Sequence, residues 1–193
     1  MTSTWEGTFS ENAFYDYILP RKNLKIDRAI IHPKYNDRND NNDIALLKLK
    51  NPLDLAKYTP VCLPARNQIF VGKTAWVYGW GIFENGNDDI SPVLMQTTQQ
   101  VVASDKCEQI WRPWQLINIF PSHLCALAED QDSCTGDSGG PLTVEVNGRH
   151  ILIGAVSFGT EPCATVDIQY NYFFANDYLF SESPSSLCQC GKP

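Results

Sequence analysis

Basic clusters, long apolar runs and closely spaced metal ligands are all missing from this chain, and each absence removes a class of function. Lys and Arg number 15 against 22 Asp and Glu, a net charge of −7. No Lys/Arg cluster lines up as a phosphate-tracking surface requires, so nucleic acid is not an expected partner. No apolar stretch approaches the ~18 residues of a membrane span, which sets a membrane partner aside. The opening Met1-Thr2-Ser3-Thr4-Trp5-Glu6 has neither the basic end nor the apolar centre of a signal peptide. Histidine is scarce, with only His32, His123 and His150.

What is present is ample apolar material and much cysteine. With 193 residues, 43% of them hydrophobic, the chain can fill one large all-β domain or two small ones. Its seven cysteines are an odd number and mostly far apart. A zinc site needs close Cys or Cys/His pairs, whereas Cys62, Cys107, Cys125, Cys134 and Cys163 are dispersed and only Cys188 and Cys190 are neighbours. The pattern suits a disulfide framework from an oxidising, extracellular setting. Set beside the missing export signal, that setting leads us to expect further sequence upstream of Met1.

Short apolar runs alternate with turn clusters. Ile26 to Ile31, Ile44 to Leu49, Thr74 to Tyr78, Leu94 to Val102, Leu142 to Val146 and Ile151 to Phe158 read as strands, and Pro60 to Pro64 as extended chain. Ser104 to Trp111 reads as a helix, with Ser104 as cap and Asp105 at the positive end of its dipole. Many short strands and few helices argue for an all-β barrel or sandwich. Ala65 to Lys73 is the candidate linker between two halves.

The stretch Asp132-Ser133-Cys134-Thr135-Gly136-Asp137-Ser138-Gly139-Gly140-Pro141 carries the chemistry. Its glycines permit a tight turn around Ser138 that aims the N–H groups of Gly136 and Ser138 at one point, beside a nucleophilic hydroxyl. A bare G-x-S-x-G is often an incidental turn; ten consecutive residues of this kind are harder to dismiss.

Gly136 to Pro141 resembles the nucleophile motif of the chymotrypsin/trypsin family of serine endopeptidases. Ile31-His32-Pro33-Lys34-Tyr35-Asn36, Asn42 to Leu49, Pro60 to Pro64, Gly79-Trp80-Gly81, Leu124-Cys125-Ala126 and Val156-Ser157-Phe158-Gly159 resemble the same family in the same order, over about residues 28 to 163. The resemblance implies a double antiparallel Greek-key barrel with the first barrel incomplete. Residues 1–65 would be the remnant of the first barrel, 66–180 the second barrel, and 181–193 a tail. It implies peptide hydrolysis without a cofactor, with Ser138 attacking, Asp43 orienting an imidazole, and Gly136 and Ser138 forming the oxyanion hole. Asp132 would stand at the base of the specificity pocket and favour Arg or Lys, with Ser157 and Gly159 in its walls. Ser157 should also hydrogen-bond to Asp43. Implied partners are protein or peptide substrates and serine protease inhibitors.

The resemblance further implies disulfides Cys107–Cys125 and Cys134–Cys163. It leaves Cys62 without a partner, since in relatives this cysteine tethers an upstream segment. Another family bridge is lost from both ends, where Ala75 and Val144 stand. After Cys163 the likeness breaks down, although Gln169 to Phe174 could still supply a strand.

Two readings compete around Asp43. Asp37 to Asp43 has the alternating oxygens of a calcium loop, but Asn42 and Lys48 stand where that loop requires Gly and Glu. A solvated turn ahead of a buried strand is the alternative, with Asp43 drawn inward by the apolar run. None of the histidines stands in an Ala-Ala-His-Cys-like context, and the family template places the base roughly 45 residues before the aspartate. His32 is too close to Asp43; His123 and His150 are expected on a loop and at a strand start. No Ile/Val-Gly-Gly terminus is present to pair with Asp137, which is expected to lack a partner, with the Gly136 N–H misplaced. The chain is thus expected to be inactive by itself, as part of a longer protease or, in the rival reading, as a protease-like binding protein.

Overall fold

The computed structural model describes residues 6–9, 22–65, 67–83, 89–112, 118–128, 132–159 and 170–175. Three strands, β1 (Glu6–Phe9), β2 (Lys22–Ile31) and β3 (Ala45–Leu49), form one antiparallel sheet in the order β1-β2-β3. Six more close an antiparallel barrel: β4 (Thr74–Gly79), β5 (Met95–Val102), β6 (His123–Ala128), β7 (Pro141–Val146), β8 (Arg149–Phe158) and β9 (Tyr170–Ala175), in the order β4-β5-β6-β9-β8-β7. The single helix among the described residues is α1 (Ser104–Trp111).

Alternation builds the barrel core. On β4, Ala75 and Val77 point inward while Thr74 and Trp76 are less buried; on β7, Leu142 and Val144 point in. With Phe70, Val101, Ala126, Ile153 and Val156 they make one continuous cluster. A second cluster joins Cys107, Trp111 and Cys125, and the Cys107–Cys125 disulfide fastens α1 to β6 across 18 residues. Closing a loop of that length is worth about 3 kcal/mol on a chain-entropy view.

Several expectations change. Ala103, not Ser104, caps α1; Ser104 is the first helical residue, and no side chain caps the helix. The apolar run into β3 is not buried: Leu46 and Leu47, which point to opposite faces of the sheet, are 41% and 55% exposed, with no covering layer on either among the described residues. Cys62 is disulfide-bonded. It lies along the barrel wall, bridged to Ile151, with its carbonyl accepting from Leu152 N at 2.8 Å. Its partner lies outside the described residues, as do Cys163, Cys188 and Cys190.

Candidate active site

The segment ahead of β3 is shaped by polar contacts, not by burial of the strand that follows. Asn36 and Asn41 bridge the turn, and Asp40 and Asn42 adopt positive φ of 51° and 57°, a backbone region in which Asp and Asn are over-represented. Asn42 is buried: its amide donates to Lys34 O at 3.0 Å and its backbone N–H to Ser122 Oγ at 3.2 Å. Ser122 in turn donates to Asn41 Oδ1 at 2.6 Å. The loop is thereby clasped to the barrel just ahead of β6, and Asp43 follows directly.

Asp43 meets Ser157 there. Ser157 Oγ donates to Asp43 Oδ2 at 2.8 Å. On β8 the pairing with β9 slips between Val156 and Phe158, so Ser157 is the bulged residue. A bulge re-aims a side chain without ending the strand, and this one directs a hydroxyl to the aspartate just ahead of β3.

The turn bearing Ser138 is stitched to the same strand. Gly139 N donates to Val156 O at 2.8 Å, and Val156 N to Gly140 O at 2.9 Å. Gly136 has φ +101°, and a Cβ on it would lie 3.0 Å from Gly81 Cα, so both backbone angle and packing require glycine. Ser138 is exposed, and among the described residues no acceptor takes the N–H of Gly136 or of Ser138. Asp137, expected to lack a partner, has two: Oδ1 accepts from Gly81 N at 2.7 Å and Oδ2 from Cys134 N at 2.9 Å. Hydrogen bonds from backbone N–H groups to a carboxylate are charge-assisted, and here two of them hold Asp137.

Asp132 lies deeper. Its Oδ1 accepts from Gln99 Nε2 at 2.8 Å and from Ser133 N at 2.9 Å, while Oδ2 is closed from solvent and accepts nothing among the described residues. Burial raises its pKa to about 7, opposed by these two hydrogen bonds and reinforced by the charge of Asp137. Cys134 beside it is disulfide-bonded, its expected partner Cys163 lying outside the described residues. Gly159, expected in the pocket wall, is the last described residue after β8.

The histidines stand elsewhere. His32 follows β2 and accepts from Lys34 N at 3.1 Å; His150, the second residue of β8, is hydrogen-bonded to Thr143 Oγ1 at 3.0 Å. His123 is not on a loop but opens β6 and is buried, because its ring packs edge-on between Phe120 and Phe158. Its Nε2 donates to Asp40 O at 3.0 Å and its Nδ1 accepts from Phe120 N at 3.3 Å, a pattern that selects the neutral Nε2–H tautomer. Burial lowers its pKa, partly offset by the Asp40 carbonyl and the charges of Asp40 and Asp43. Among the described residues no histidine hydrogen-bonds to Ser138 or Asp43, and none gathers with two further His, Cys, Asp or Glu side chains as a metal site would.

Sequence reasoning did not find Gln99, the Ser122 clasp or the Asp137 contacts. A polar residue at an inward position of β5, between Thr97 and Val101, was the available signal for Gln99.

A closed six-stranded barrel beside a three-stranded sheet, with a Gly-rich serine turn on the barrel, defines a chymotrypsin-like all-β protein. The Trypsin family model matches residues 17–176, and the chain belongs to that family of serine proteases. It is similar to serine proteinase stubble of Drosophila melanogaster, 36% identical over 146 residues, or 73% of this chain and 18% of that protein. It thus spans less than a fifth of the length of this relative. Its fold is similar to that of neuropsin, a serine protease expressed in the limbic system of mouse brain, with TM-score 0.73 and 25% identity over 92% of this chain and 77% of that one. Among the described residues no helix is long and apolar enough to cross a membrane.

Proposed function

We propose that the chain carries the nucleophile and the specificity pocket of a secreted serine endopeptidase that cleaves after Arg or Lys. One observation carries this reading: Asp43 is bonded to Ser157 of β8, while the Ser138 turn is bonded to Val156, so two residues 95 apart in sequence are anchored to adjacent positions of one strand. In that arrangement Ser138 attacks the scissile carbonyl, and the unspent N–H groups of Gly136 and Ser138 receive the oxyanion. Asp43 steadies the imidazolium that forms when a histidine base takes the Ser138 proton. Asp132 receives the substrate's cationic side chain, which leaves water for a buried carboxylate oxygen without a hydrogen bond. Disulfides at Cys62, Cys107, Cys125 and Cys134 suit an extracellular protein, whose partners would be protein substrates and serine protease inhibitors.

None of the three histidines is hydrogen-bonded to Ser138, so these 193 residues alone should not turn over peptide substrates. The test is hydrolysis of Arg- and Lys-containing peptides by the purified chain. No Ser138-dependent rate is expected; turnover abolished by Ser138→Ala would show that a base is present after all. The pocket is tested separately by benzamidinium binding, expected to disappear in Asp132→Asn.

A further inference from the structure

The two oxygens of Asp132 are unequal. Oδ1 accepts two hydrogen bonds, from Gln99 Nε2 and Ser133 N, which fill its two lone pairs. Oδ2 accepts none. Gln99 comes from β5 and is 2% exposed, so its amide has no water to exchange with and is held where it is. A guanidinium pairs best fork-to-fork, placing one N–H on each carboxylate oxygen, whereas an ammonium is a point charge that a single oxygen can receive.

We propose that Gln99 is a specificity-determining residue of the pocket: by occupying Oδ1 it presents only Oδ2 to an entering cation and shifts the preference from a guanidinium toward an ammonium, from Arg toward Lys. This rests on the reading of Asp132 as the pocket's acceptor. Two more buried oxygens in the same cluster, Gln99 Oε1 and Ser133 Oγ, also have no hydrogen bond. With Asp132 Oδ2 they match in number the three donors of an ammonium. A fork needs two acceptors side by side in one plane, which a carboxylate with one oxygen filled does not offer.

The experiment compares the affinities of the full chain for benzamidinium and benzylammonium by calorimetry, in wild type, Gln99→Met, Gln99→Asn and Asp132→Asn, with folding followed by circular dichroism. Gln99→Met removes the amide and frees a lone pair on Oδ1. Gln99→Asn keeps the amide but shortens its reach, and serves if the first variant unfolds. Both should raise the benzamidinium-to-benzylammonium affinity ratio by about tenfold, the worth of one charge-assisted hydrogen bond. An unchanged ratio in the folded variants, or one moving toward the ammonium, overturns the role of Gln99. Binding of both probes lost in Asp132→Asn alongside such a result would leave the pocket reading standing. Wild type that binds neither probe, or binding indifferent to Asp132→Asn, overturns both.

Discussion

Ala75 of β4 and Val144 of β7 stand directly opposite one another in the barrel wall, both fully buried. The family resemblance implies a disulfide at this place, and here the pair is packed by methyl groups instead. The register that a bridge needs is kept, because Trp76 with Thr143 and Val77 with Leu142 continue the same pairing. Ala75→Cys combined with Val144→Cys should therefore oxidise without moving the strands, since opposed residues on antiparallel strands have Cα atoms about 4.5–5.5 Å apart. Cross-linking residues 69 apart in sequence would raise stability by up to about 4 kcal/mol. Urea unfolding of the oxidised and reduced double variant checks this. A bridge that forms only with loss of stability would mean that the pair cannot approach.

Gly81 is there for Asp137. A Cβ at Gly81 would sit 2.6 Å from the Asp137 carboxyl carbon, and one at Gly79 would lie closer still to an oxygen of the same group. Gly81→Ala should push the carboxylate off the Gly81 N–H and cost about 2 kcal/mol, the usual loss for a hydrogen bond to a charged group. In an Asp137→Ala background the same substitution should cost much less, because the group it collides with has gone. Equal costs in the two backgrounds would show that Gly81 serves some other purpose.

The legibility of the sequence follows the range of the forces involved. Strands β4, β7 and β8 were readable because their apolar residues alternate or run together between Gly and Asn turns, and the Ser138 turn because its chemistry lies in ten consecutive residues. Burial of β3 was misjudged, since Leu46 and Leu47 are apolar but have no covering layer in the described residues. The cap of α1 was misplaced by one position, within the ordinary uncertainty of helix ends. Gln99 with Asp132, Ser122 with Asn41 and Gly81 with Asp137 are side-chain contacts across the fold, separated by 33, 81 and 56 residues. Local pattern carries no information about such distances.

Asp132 should leave a signature in the pH dependence of stability. Its pKa is raised by burial to about 7, against 3.8 for an ordinary aspartate. Between those values the folded chain holds a proton that the unfolded chain has released, so unfolding becomes easier as pH rises. This contribution is fully favourable below the unfolded pKa and is lost as pH rises through the folded one. Asn at this position does not titrate, so the unfolding free energy of Asp132→Asn minus that of wild type should increase from pH 4 to pH 7 by a few kcal/mol and level off above it. Taking the difference removes the carboxylates and histidines common to both proteins, including His123, whose lowered pKa makes stability fall in the opposite direction as pH drops below 6.5. Urea midpoints at unit intervals of pH supply the measurement. Saturating benzamidinium should flatten the curve, because a cation against Oδ2 favours the ionised carboxylate in the folded chain. A difference independent of pH would place Asp132 in a solvated setting and remove the desolvated carboxylate on which its proposed role in recognition depends.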